Sequence, residues 1–201
     1  IGCLGGIEDG HGAGVDAMAY LTDPDQAVEF VERTGIDALA VAIGTSHGVY
    51  KFSRKPDSAI LDMDRIIEIH KRLRKTYLVM HGSSSVPKEL QDIINAHGGR
   101  LKPAWGVPIE EIQLGIRHGV RKINVDTDNR LAITGAIRKH MSEHPEGFDP
   151  RSYLAPAREA MKMVVASRMI SFGQAGHAGD YDPIPLSVMA ERYSKGDLKA
   201  E

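Results

Sequence analysis

Two histidines close apolar runs in the same way. One sits in Ile43-Gly44-Thr45-Ser46-His47-Gly48, the other in Leu78-Val79-Met80-His81-Gly82-Ser83-Ser84. Neutral imidazole is a common zinc ligand, and a catalytic zinc site needs three protein ligands plus an open position. The two lie 34 positions apart, so what relates them is a shared strand-end context rather than a local finger spacing. Either one alone reads better as a hydrogen-bonded core histidine. The matching contexts favour metal ligation, and a glycine after each lets backbone approach a ligand closely.

A third run, Lys122-Ile123-Asn124-Val125-Asp126-Thr127-Asp128, also ends in polar groups. Asn124 and Asp126 alternate, so on a strand both face one way. Gly48, Gly82, Ser83, Ser84 and Thr127 supply backbone N–H groups and hydroxyls after strands, a donor set suited to phosphate. Lys51 adds a point charge. Glu8 lies in a glycine-rich stretch beside Asp9. A lid can carry such a carboxylate into a site as a general base. His70, His97, His118, His140, His144 and His177 read as surface residues, and His11 falls in the glycine-rich stretch. Lys122 precedes its strand core and is a poor Schiff-base nucleophile.

The elements that must hold these groups follow from periodicity and caps. Thr22-Asp23-Pro24 opens a helix with Val28, Val31 and Phe30 on its apolar face, closed by Gly35. Residues 37–43 form a nearly continuous apolar run, as in parallel strands buried on both faces. An amphipathic helix is expected over 62–75, a strand over 76–80, and helices over 87–96 and 108–118. A strand over 120–125 and helices over 127–140 and 150–172 follow. Residues 173–201 read as a polar tail with a short helix at 186–193. Strand–loop–helix repeats imply a parallel sheet. No GxGxxG or GxxxxGK[ST] supports a nucleotide fold, and polar groups at successive strand ends favour a barrel with its site at that rim.

Composition narrows the function classes. The chain has 201 residues, 42% hydrophobic, with net charge -2. It carries no basic stripe for nucleic acid and no apolar run of the ~18 residues a membrane span needs. Cys3, the only cysteine, cannot form an internal disulfide, which fits a cytoplasmic protein. The start, Ile1-Gly2-Cys3-Leu4-Gly5-Gly6, has no signal-peptide features and reads as a strand end entering a loop. The expectation is a single partial domain over 1–201, from the C-terminal part of a longer protein.

Together these segments resemble the class II, metal-dependent fructose-1,6-bisphosphate aldolases, in the branch that includes Calvin-cycle enzymes. The likeness spans Ile1 to about Phe172. It rests on the glycine-rich Gly2–Gly10 segment, Gly44-Thr45-Ser46-His47-Gly48-Val49-Tyr50-Lys51, His81-Gly82-Ser83-Ser84-Ser85, Asn124-Val125-Asp126-Thr127-Asp128 and Asp149-Pro150-Arg151. It implies the C-terminal half of a TIM (β/α)8 barrel. His47 and His81 would be two of three zinc ligands, and Glu8 the mobile carboxylate that moves the dihydroxyacetone phosphate proton. Gly48, Lys51, Gly82, Ser84, Asp126 and Thr127 would surround one phosphate, with Ser83 and Val125 lining the site and Asn124 holding the enediolate. Arg151 would reach the other phosphate across a subunit interface, in a homo-oligomer of at least two chains. A monovalent cation, Na+ or K+, would sit near Gly48 and Gly82. The family's third zinc histidine, its acidic aspartate and a further metal-binding glutamate have no counterpart here, so the chain alone is expected to be inactive and poorly folded. Tagatose or sedoheptulose bisphosphate as substrate, or a metal-free phosphate-binding barrel, are the alternatives.

Overall fold

The computed structural model describes residue 2 and residues 5–6, 21–52 and 61–196. Glu8, His11 and Cys3 lie outside those residues. Among the described residues the order is β1 (Gly5–Gly6), α1 (Pro24–Thr34), β2 (Ala38–Val41), β3 (Ser46–His47), α2 (Met63–Arg72), β4 (Tyr77–Met80), α3 (Lys88–Ala96), α4 (Ile109–Arg117), β5 (Val120–Ile123), α5 (Thr127–Glu143), α6 (Pro150–Ser171) and α7 (Leu186–Lys195).

Caps set the helix starts. The Asp23 carboxylate accepts from the N–H groups of Asp25 and Gln26 at 2.9 and 3.0 Å, and Gly35 ends α1 in the left-handed region at φ 64°. Thr22 has a different task. It is fully buried, and its Oγ1 accepts from the Ala42 N–H at 2.7 Å, tying the entry of α1 to the end of β2. Asp62 caps α2 and Asp149 caps α6. Phe30, expected on the apolar face of α1, is instead exposed, and Ala27 takes the buried place.

The strands are parallel in the order β2-β4-β5, and β1 pairs with β3. Within the three-stranded sheet spatial order follows chain order, as in a (β/α)8 barrel wall. A doubly wound sheet would reverse its order at a switch point. One sheet face, with Leu39, Val41, Leu78, Met80 and Val120, packs beneath α1, α2 and α4 with Ile66, Ile69 and Ile112. The other face is not sealed among the described residues: Ala38, Ala40 and Lys122 are exposed. Burial on both faces, expected of the 37–43 run, is therefore corrected for β2, and β5 is likewise covered on one side only. Their apolar side chains cover only the helical side, and alanine or lysine stands on the other. α5 packs on α3 and α6.

Candidate functional site

Register brings the site together. β4 pairs Met80 with Ile123, and the ladder runs one step further, the Asn124 N–H donating to the Met80 carbonyl at 2.9 Å. The next residues on each strand, His81 and Asn124, are thereby neighbours. Asn124 Nδ2 lies 2.8 Å from His81 Nδ1 and 3.1 Å from Nε2. Asn124 and Asp126 stand past the end of β5, in the turn into α5, rather than within the strand as expected.

The two His-Gly corners meet just as closely. The ring centroids of His47 and His81 are 6.0 Å apart, with planes tilted by 58°. A Cβ on Gly82 would stand 2.6 Å from the Ser46 carbonyl oxygen, and Gly82 has φ +62°. Only glycine lets these corners pack so tightly.

A cleft of about 600 Å³ opens at this rim, lined by His47, Gly48, Lys51, His81, Gly82, Ser84, Asn124, Val125, Asp126 and Thr127, among others. The Lys51 side chain is buried, and Nζ donates to the Ser46 carbonyl at 2.6 Å. Burial lowers its pKa to about 8, a shift that Asp128 and Asp126 partly offset. The Asp126 N–H donates to Ser84 Oγ at 3.1 Å, and Thr127 Oγ1 donates to the Gly48 carbonyl at 3.3 Å. No side chain caps α5, so its first N–H groups remain available to an anion at the cleft.

Two expected residues lie elsewhere, and a third is not among those described. Ser83 is fully buried behind the rim, its hydroxyl donating to the His81 carbonyl at 3.1 Å. Arg151 is exposed and paired with the Asp149 cap at 2.5 Å, away from the cleft lining. Glu8 is outside the described residues. His70 is half-buried against Gly119 rather than on the charged face of α2. Sequence reasoning weighed Lys122 only as a poor Schiff-base nucleophile, whereas it lies inside β5 and lines the cleft, and it gave no role to Asp128, which is fully buried. A lysine two residues before Asn124, on the same strand face, was the available signal for the first.

The two imidazoles suit a zinc ion by their chemistry, neutral imidazole being a common zinc ligand, and they stand side by side at the rim, ring centroids 6.0 Å apart. They are two donors where a catalytic zinc needs three, and no group of three His, Cys, Asp or Glu occurs among the described residues. Likewise no helix among the described residues is long and apolar enough to cross a membrane.

Comparison with known proteins places this architecture. Residues 1–177 match the family model for fructose-bisphosphate aldolase class-II. A fructose-bisphosphate aldolase of Nostoc sp. strain PCC 7120 is 54% identical over 100% of this chain and 58% of its own length. Fructose-bisphosphate aldolase 2 of Cereibacter sphaeroides is 55% identical over 98% of this chain and 58% of its own. The chain thus spans 58% of the length of these curated relatives. The solved fructose-bisphosphate aldolase of Campylobacter jejuni superposes with a TM-score of 0.53 and 20% identity, over 77% of this chain and 45% of that one. At that identity the likeness bears on the fold alone, and it agrees with a barrel wall.

Proposed function

Because this chain belongs to the class II fructose-bisphosphate aldolase family, we propose that its cleft is part of a zinc-dependent site for reversible cleavage of fructose 1,6-bisphosphate to dihydroxyacetone phosphate and glyceraldehyde 3-phosphate. The observation that carries this is the pair of neighbouring imidazoles, their ring centroids 6.0 Å apart, beside a cradle of Gly48, Lys51, Gly82, Ser84 and Thr127. That combination suits one phosphate and one metal held at adjacent points of the same substrate.

His47 and His81 would hold the zinc, with a third ligand from outside the described residues. When bound, zinc supplies Lewis-acid polarisation of the substrate ketone and of the enediolate oxygen. The residues of this chain do the rest. Lys51, the Gly48 and Gly82 backbone, Ser84 and Thr127 hold the phosphate, and Asp126, paired with Arg130 at 2.7 Å, borders it. Ser83 supports the loop from behind, and Val125 closes the cleft wall. The C4 hydroxyl gives its proton to a base outside the described residues as the C3–C4 bond breaks, and Asn124 Nδ2 donates to the developing enediolate oxygen. Glu8 then returns a proton to C3, giving dihydroxyacetone phosphate. Arg151 reaches the second phosphate of a neighbouring subunit, so the working form is a homo-oligomer. A monovalent cation, Na+ or K+, beside Gly48 and Gly82 would balance phosphate charge. The setting is cytoplasmic carbohydrate metabolism.

The test uses the protein purified at its natural length. It should carry one zinc per site and cleave fructose 1,6-bisphosphate. EDTA should abolish turnover. His81→Ala should lower kcat/KM by on the order of 10³-fold, the several kcal/mol expected of a lost Lewis acid, together with zinc content. A zinc-free, EDTA-insensitive protein overturns the proposal, as does turnover confined to tagatose 1,6-bisphosphate or sedoheptulose 1,7-bisphosphate.

A further inference from the structure

We propose that Lys122 is a positioning residue that fixes which end of the Asn124 carboxamide faces the cleft. The inference rests on the aldolase reading above and assigns a role to a residue which that reading leaves idle. Lys122 is placed in β5 by its register with Val79, and its side chain lines the same cleft as His47, His81 and Asn124. Its Nζ donates to Asn124 Oδ1. On the other side, Asn124 Nδ2 sits 2.8 Å from His81 Nδ1.

The two ends of a carboxamide have nearly the same shape but opposite hydrogen-bonding character, so packing alone does not choose between orientations. The ammonium group chooses. It has three donors and no acceptor, so an Asn124 NH2 turned toward Lys122 would set donor against donor. Oδ1 therefore belongs on Lys122, and Nδ2 on the side of His81 and the cleft. This matters for the reaction because charge develops on the substrate oxygen as the enediolate forms. A preorganised donor stabilises that charge, whereas a carbonyl oxygen in the same place would repel it. The lysine charge also polarises the amide and strengthens the N–H it presents.

The test combines Lys122→Met, which removes the donor, with Lys122→Arg, which keeps a donor-only cation, in the zinc-loaded protein at its natural length. The first readout is solvent deuterium exchange into dihydroxyacetone phosphate, followed by NMR, which reports enediolate formation without cleavage. Lys122→Met should slow exchange and kcat by about 10- to 100-fold, the range seen when groups that orient an active-site shell are removed. The KM for the bisphosphate and the zinc content should stay within about twofold. Lys122→Arg should recover most of the loss. In an Asn124→Ala background, Lys122→Met should have no further effect, because the lysine acts through that amide. Wild-type exchange in Lys122→Met overturns the inference, and so does an equal loss in the Asn124→Ala background. If Lys122→Met does not fold, Lys122→Gln takes its place: exchange as fast as in Lys122→Arg overturns the inference, and slower exchange supports it. Failure of the wild-type protein to show zinc-dependent cleavage instead strikes the functional reading, so the two failures are distinct.

Discussion

Lys51 shows how one residue's burial becomes a functional property. Its ammonium is taken out of water beside the Ser46 carbonyl, and desolvation lowers its pKa to about 8 against the pull of Asp128 and Asp126. The charge that would attract a phosphate is therefore present at pH 7 and lost as pH rises through about 8. The KM for a sugar bisphosphate should climb above that pH, by up to tenfold per unit, while Lys51→Met shows a raised KM without the inflection. A wild-type KM flat from pH 7 to 9.5 contradicts this. Stability moves the other way. Between pH 8 and the ordinary lysine range near 10.5 the unfolded chain binds the proton and the folded chain does not, so the fold gains stability as pH rises. At this scale the sequence was readable where residue type and strand end coincide, as at His47, His81, Gly82 and Thr127. It was less readable where a one- or two-residue error in a strand boundary changes the meaning. Lys122, read as preceding the core of its strand, lies well inside β5, and Asn124 and Asp126, read as alternating along that strand, fall beyond it. Ser83 could not be told from Ser84, because which of two adjacent serines faces the cleft is set by the turn.

At the scale of elements, Asp128 links the Ser83–Val86 loop to two helices. It is fully buried in the first turn of α5. It accepts from the Val86 N–H at 2.8 Å, from the Ser85 N–H at 3.2 Å, and from Arg168 of α6 at 2.8 Å. Val86 is β-branched yet has φ 51°, a conformation costing on the order of 1–3 kcal/mol that survives only where surroundings over-determine it. The surroundings here are that carboxylate, together with the side-chain amide of Gln91, which donates to the Val86 carbonyl at 3.0 Å. Arg168→Met would leave the buried Asp128 carboxylate without its ion-pair partner. It should destabilise the fold by about 3–5 kcal/mol, measured by urea denaturation of the protein at its natural length, and weaken phosphate binding through the loosened Ser83–Val86 loop. A change below about 1 kcal/mol would show that the pair is dispensable. Helix limits were legible because the caps are local: Asp23, Asp62 and Asp149 are each followed by helix, and Gly35 has nothing within 4 Å to restrain it. The Asp128 tie was not legible. It joins residues some 42 positions apart, and no periodicity records a contact of that range.

For the whole molecule the decisive fact is the unequal cover of the sheet. Burying Leu39, Val41, Leu78, Met80 and Val120 under α1, α2 and α4 gives one strong core. On the opposite face Ala38, Ala40 and Lys122 remain exposed among the described residues. Large apolar side chains are also exposed on and around α6 and α7, with Phe148 at 90%, Leu186 at 85% and Met163 and Ile170 each at 70%. Apolar surface on this scale is characteristic of interfaces with further protein. A barrel wall gains its interior only when closed, and the proposed zinc site finds no third donor among the described residues. Expressed by itself, the 201-residue chain should therefore bind a hydrophobic dye strongly, unfold with low cooperativity and hold less than one zinc per chain. It should show no cleavage of fructose 1,6-bisphosphate in a coupled assay. A cooperative unfolding transition with stoichiometric zinc and turnover would mean that these residues complete both the sheet and the metal site unaided, and would sink the account of the uncovered face.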